Sequence, residues 1–320
     1  MKPLKQITKK FLSISILSSL VCTGVAQAKI NVVTSTEDLA SIATEVGGSM
    51  VHVKTIVKGY QDVHMIQARP SFMLLVNRAD LLIYQGLQLE VGWLPMVVQN
   101  ARNKKIWPGQ LGLLDVSRVI NPINVPRGGE VDRSMGDIHP RGNPHYHLNP
   151  NNGLLMADII ADRLSQIDPD HADDYKSNLK NFRERLTAKI KEWKGKIEKY
   201  QNAKIVVYHQ NWNYLLDFFE IESMGAVENR PGVPPSGRHL SQLANLMKRA
   251  NTKIILQAPY YENEYSDLLA EKTQATVIVL PVSVGGVEEV QSYFSLFDFL
   301  VEKLGNAFEK NQPLSKNKTH

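Results

Sequence analysis

Residues 168–201 read DPDHADDYKSNLKNFRERLTAKIKEWKGKIEKYQ, and Tyr175, Leu179, Phe182, Leu186, Ile190, Trp193, Ile197 and Tyr200 recur there at spacings of three and four. That period draws one narrow apolar stripe along an amphipathic helix. Asp168 is placed to cap its start, Pro169 suits the first turn, and the acids beside them complement the helix dipole. At 1.5 Å per residue such a helix is on the order of 50 Å long, more than the diameter of a small domain. Apolar on one stripe only, it is expected to lie along the back of two lobes and join them. A coiled-coil dimer is the competing expectation, and the stripe holds few heptads for one.

Both flanks of this helix alternate strands with helices, which predicts α/β layers with parallel sheets. Ile30 to Thr34, Val51 to Val57 and Asp80 to Tyr84 read as strands before it; Lys204 to Tyr208, Lys253 to Gln257 and Thr276 to Leu280 read as strands after it. Helices are expected over Asp38 to Val46, with Ser35 or Thr36 as cap, and over Ser71 to Arg78, Leu154 to Leu164, Trp212 to Glu220 and Leu240 to Ala250. Ile120 to Pro144 is rich in Pro, Gly and charge, the mark of a long functional loop. The expected organisation is a signal peptide at 1–28, an N-terminal α/β lobe at 29–168, the connecting helix at 169–201, and a C-terminal α/β lobe with a polar tail at 202–320. Ligands bind such sheets at the carboxyl ends of strands, here a cleft between the lobes.

The first 28 residues read as an export signal. Lys2, Lys5, Lys9 and Lys10 precede an apolar run from Phe11 to Val25, and Ala26-Gln27-Ala28 fits the small-residue cleavage rule. This predicts a periplasmic protein cleaved after Ala28, in preference to lipid anchoring at Cys22. Cleavage removes four lysines and no acids, so the net charge of +5 falls to +1 and the basic pI of 9.0 is largely the signal's. Nucleic acid therefore loses its electrostatic support as a partner. Cys22 is the only cysteine, so the exported chain has no disulfide partner, no cysteine nucleophile and no thiolate ligand. A metal site must then use His, Asp, Glu or water.

Histidine is placed to serve. Gly142-Asn143-Pro144-His145-Tyr146-His147-Leu148-Asn149-Pro150 brackets a histidine pair with prolines, and an extended backbone would put His145 and His147 on one face. His64 precedes a helix-like run and His209 ends an apolar strand. His64, His145 and His209 each follow an element and border a loop facing the expected cleft, though spacing alone, with no H-E-x-x-H, is only moderately specific. His52, His171, His239 and His320 read as surface residues.

Asp62-Val63-His64 with Arg69-Pro70-Ser71, Ala79-Asp80-Leu81 and Gly86-Leu87-Gln88-Leu89-Glu90 resembles the front half of the periplasmic receptors of zinc and manganese ABC importers, the cluster A-I metal-binding family. Asn143 to Pro150 resembles their second ligand motif. Tyr208-His209 with Tyr214, and Pro231-Gly232-Val233-Pro234-Pro235-Ser236, resemble the third. The match runs with gaps from about Ile30 to Leu304. The resemblance implies two lobes joined by a backbone helix and a metal held between them by His64, His145 and His209. It also implies delivery to a membrane permease driven by a separate ATPase. A third histidine, where manganese receptors tend to carry a carboxylate, favours Zn²⁺ over Mn²⁺ as cargo. The sequence departs from the family at the fourth ligand: the usual Asp after the last strand is missing from Leu280-Pro281-Val282-Ser283-Val284-Gly285-Gly286, and Asn149 stands for another Asp. Water, His147, Asp137, His139 or Glu228 are the remaining candidates, and the charged loop around His139 is a candidate for metal capture.

The reading is of a monomeric receptor rather than an enzyme. A three-histidine zinc with an open position also suits a hydrolase, but no carboxylate sits at a spacing that would make it a positioned general base.

Overall fold

The computed structural model describes residues 29–126, 139–230 and 232–311. The expected signal peptide with Cys22, the candidate ligand Asp137, Pro231 and the tail beyond Asn311 lie outside these residues.

The chain before the long helix forms β1 (Ile30–Thr34), α1 (Glu37–Gly47), β2 (Val51–Thr55), α2 (Pro70–Asn77), β3 (Leu81–Tyr84), α3 (Leu94–Ala101), β4 (Leu113–Asp115) and α4 (Pro150–Ile167). The strands make one parallel sheet in the order β2-β1-β3-β4. Both faces are covered. Val32 of β1 belongs to one apolar cluster, while its neighbour Val33 points into another with Val76, Trp93 and Val97. That is the double burial that makes parallel strands continuously apolar.

The long helix, α5, spans Ala172–Ile197 and is extended at either end by single 3-10 turns, Pro169–His171 and Glu198–Tyr200. Its stripe is buried where the period places it: Tyr175, Phe182, Leu186, Trp193 and Ile197 face inward. Trp193 stacks on Phe297 at 5.0 Å, Phe182 meets Phe294 at 5.4 Å and Tyr200 stacks on Phe308 at 4.8 Å. The stripe is thus covered by α9 (Tyr293–Asn311) of the same chain, which answers the coiled-coil expectation. Asp168 does not cap. Its carboxylate accepts from the Tyr175 hydroxyl at 2.7 Å and pairs with His171 Nδ1 at 2.7 Å, so it is occupied by side chains one and two turns on.

Beyond α5 come β5 (Lys204–Val207), α6 (Asn213–Phe218), β6 (Glu222–Ala226), α7 (Gly237–Arg249), β7 (Ile254–Gln257), α8 (Glu264–Thr273) and β8 (Thr276–Val279), then α9. They build a second parallel sheet, ordered β6-β5-β7-β8, the same winding as the first. One large core takes Val32, Leu81 and Ile83 from the first sheet and Ile205, Val207, Ile254 and Leu256 from the second. Strands β4 and β6 are absent from the sequence expectation. The first is three residues long, and Glu222-Ser223-Met224-Gly225-Ala226 is a sheet edge with little intrinsic strand preference.

The lobes meet through polar contacts above that core. Asp38, near the start of α1, accepts from the Ser283 hydroxyl and, at 3.0 Å, from Val284 N. The Tyr293 hydroxyl donates to the His147 carbonyl at 2.6 Å, and Tyr214 donates to the Asn143 carbonyl at 3.0 Å. Gly59 lies so close to the 284–286 backbone that an added Cβ would stand 1.8 Å from the Val284 oxygen.

Candidate metal centre

In each sheet the chain runs from its first strand outward to one side and then returns to the other, so a crevice opens at the carboxyl ends of β1/β3 and β5/β7. The segments leaving the carboxyl ends of β2, β4 and β5 carry the histidines. His64 sits in a 3-10 turn after β2, where the Asp62 carboxylate accepts from His64 N at 3.0 Å. His145 follows the loop from β4, with its N–H bonded to Asn143 Oδ1 at 2.9 Å. His209 stands two residues past β5.

The structure brings these three together: one ring nitrogen from each lies within 4.8 Å of the others. The Nε2 atoms of His64 and His145 are 3.4 Å apart. Two nitrogens at about 2.0–2.1 Å from one zinc, at a tetrahedral angle, would be about 3.3–3.4 Å apart, so this pair is already at a coordination edge. His145 and His209 are buried, at 7% and 6% exposure. Burial, and then the neighbouring His64 and His209, hold the His145 pKa well below its ordinary value. That favours the neutral imidazole, the form that ligates.

His209 Nδ1 lies 3.0 Å from Glu228 Oε2, which also accepts from Gly232 N at 3.3 Å. A carboxylate on Nδ1 fixes the tautomer with the proton there and leaves Nε2 as the donor toward a metal. Glu228 therefore supports a histidine in this geometry and does not face the three-histidine cluster as a fourth donor.

His147 is placed elsewhere than the extended reading predicts. Tyr146–Leu148 is a 3-10 turn, and residues two apart on a threefold helix diverge. The His147 ring lies edge-on to that of His145 at 6.3 Å, but its nitrogens are bonded elsewhere: Nδ1 is 3.0 Å from Gln85 Nε2 and Nε2 is 2.8 Å from the Val282 carbonyl. Both nitrogens are occupied, so His147 fastens the lobes instead of adding a ligand. Asn149 caps α4, accepting from Asn151 N at 3.0 Å; Asn does this as well as Asp.

Gln85 and Glu90, to which no site role was given from sequence, hold the centre in place. Gln85, just after β3, donates to the Pro144 carbonyl at 3.1 Å, while its own carbonyl accepts from Tyr146 at 2.5 Å. Buried Glu90 accepts from Gln85 N at 2.8 Å and Gly86 N at 3.1 Å; burial raises its pKa to about 7. For Gln85, its position directly after β3 was the signal that could have found it.

The family described as zinc-uptake complex component A periplasmic, ZnuA, matches residues 32–307. A metal ABC transporter substrate-binding lipoprotein, ScbA, of Streptococcus cristatus is 26% identical over 90% of this chain and 92% of its own length. A high-affinity zinc uptake system protein ZnuA of Brucella abortus is 22% identical over 97% of this chain and 100% of its own. The manganese ABC transporter substrate-binding lipoprotein scaA of Streptococcus gordonii is 31% identical over 58% of this chain and 57% of its own. Among solved structures, one titled as a crystal structure of ZnuA superposes with a TM-score of 0.71 at 22% identity, covering 87% of this chain and 99% of that one. A manganese-bound periplasmic metal-binding protein from candidatus liberibacter asiaticus gives 0.71 at 24%, over 87% and 99%. With two parallel sheets, a long joining helix and this match across the chain, the protein belongs to the ZnuA family of metal ABC transporter substrate-binding proteins.

Proposed function

We propose that this chain is a periplasmic receptor that captures Zn²⁺ with His64, His145 and His209 and hands it to the membrane permease of an ABC importer. The observation that carries the reading is the meeting of three imidazoles, one from each of three separate loops, with ring nitrogens within 4.8 Å of one another and no carboxylate among them. An all-nitrogen set suits zinc, whereas manganese prefers carboxylate, carbonyl and water oxygens. Relatives named for manganese keep Mn²⁺ as the competing cargo. The role is binding and not turnover: two carboxylates hydrogen-bonded to the cluster are engaged, Glu228 by His209 and Gly232, and Asp62 by the His64 backbone. One chain supplies every ligand and covers its own long-helix stripe, so the receptor acts as a monomer.

The test is a chelator competition on the exported form of the chain. One Zn²⁺ per chain is expected, displaced little by excess Mn²⁺, and lost in the His64→Ala/His145→Ala/His209→Ala triple variant. Zinc binding unchanged in that variant would remove the assignment, and Mn²⁺ winning the competition would reassign the cargo.

A further inference from the structure

A fourth histidine stands beside the cluster, and the three-ligand reading leaves it unused. The His139 ring centroid is 5.1 Å from that of His64, closer than His64 is to His145 at 5.4 Å or to His209 at 6.0 Å. The Leu87 backbone holds the ring through a hydrogen bond that favours its protonated form, while Nε2 is buried and bonded to nothing. That division repeats the arrangement at His209: one ring nitrogen is fixed by an acceptor outside the cluster and the other is left over. A buried nitrogen with no partner is a cost the fold carries unless a water or an ion relieves it. Burial, followed by the charges of His64 and His209, lowers its pKa to about 3, so the ring is neutral at ordinary pH. Meanwhile the stretch Leu280 to Gly286 after β8 contains no carboxylate, and its Val282 carbonyl and Val284 N–H are engaged by His147 and Asp38 of the N-terminal lobe.

We infer that His139 supplies the fourth ligand, through Nε2, and completes an all-imidazole shell around the captured ion. This inference rests on the receptor reading above. The His139 nitrogens stand outside the set lying within 4.8 Å of one another, so the ring moves inward as the ion arrives. Four neutral nitrogens fit a closed tetrahedral Zn²⁺ site and give Mn²⁺ none of the oxygen donors it prefers. His139 is thus a specificity-determining residue as well as a ligand.

The experiment compares the exported chain with His139→Ala and His139→Asp, the fold of each checked by circular dichroism. X-ray absorption of the zinc form counts imidazoles, Co²⁺ absorption reports the donor set, and chelator competition gives affinity. Four imidazoles are expected in the parent protein and three plus an oxygen in His139→Ala, with zinc affinity lower by about tenfold or more. His139→Asp should recover zinc affinity in part and narrow the preference for Zn²⁺ over Mn²⁺. An imidazole count, spectrum and affinity identical in parent and His139→Ala would overturn the inference while leaving the receptor intact. Failure of the parent protein to bind Zn²⁺ would bring down the receptor reading itself, and is visible without any His139 variant.

Discussion

His209 Nδ1 and Glu228 Oε2 lie 3.0 Å apart, both residues buried, with Glu228 at 8% exposure. The carboxylate reaches the histidine from the loop after β6, so a ligand candidate of one strand is oriented by its neighbour. Replacing Glu228 by Ala frees the ring to rotate and to take either tautomer. Zinc affinity should fall by about 10- to 100-fold, the range for losing such a supporting partner. Chelator competition measures this, and an unchanged affinity would show that the His209 ring is held by packing alone.

Asp38 joins the lobes through two acceptor contacts, to Ser283 and Val284, while 1% exposed. Asp38→Ala leaves the buried Val284 N–H and the half-buried Ser283 hydroxyl without their acceptor, at about 1–3 kcal/mol for the buried donor. Urea unfolding of the metal-free protein should show that loss. Retention of full stability would mean that water reaches the gap.

Gly59→Ala tests the close approach of the lobes from the opposite direction. The new methyl meets the Val284 carbonyl oxygen at 1.8 Å, a backbone atom that cannot swing aside. Overpacking of this kind costs about 1–3 kcal/mol. Relief by separating the lobes would also weaken zinc binding, since His64 and His209 lie on opposite sides of the cleft. Small-angle scattering and competition together read both effects; a variant as compact and as tight as the parent would contradict the contact.

Acid should destabilise the metal-free protein. A histidine in the unfolded chain takes its proton near pH 6.5, whereas His139 in the fold resists protonation down to about 3 and His145 is shifted the same way. Below pH 6.5 the unfolded state therefore binds more protons, and stability falls with pH through that window. One such group contributes a slope of at most about 1.4 kcal/mol per pH unit. His139→Ala should make the decline shallower in urea titrations between pH 6.5 and 4. An unaltered slope would mean that His139 takes up its proton in the fold as readily as in the unfolded chain.

Much of the architecture can be read from local pattern. The spacing of Tyr175 through Tyr200 specifies α5 because helical periodicity survives any choice of neighbour. Strands β1, β5 and β7 are legible as short apolar runs, and Thr36 serves as a cap of α1 as its position predicts. Edge strand β6 is not legible, since Glu222 and Gly225 carry no strand preference and pair only because β5 lies alongside. The histidines divide in the same way. His64, His145 and His209 stand out by following an element, whereas the role of His147 depends on a 3-10 turn that sends its ring to Gln85 and Val282.

Sequence by itself determined two wound α/β lobes, the helix behind them and the residue type available for a metal, because those follow from periodicity and composition along the chain. Tertiary structure decided which nitrogens meet. The 3.4 Å between His64 and His145, the tautomer set by Glu228 and the diversion of His147 to the lobe contact each arise from groups tens to hundreds of residues apart. Their distances are fixed by how two separate sheets pack across one core, and no local pattern along the chain encodes that.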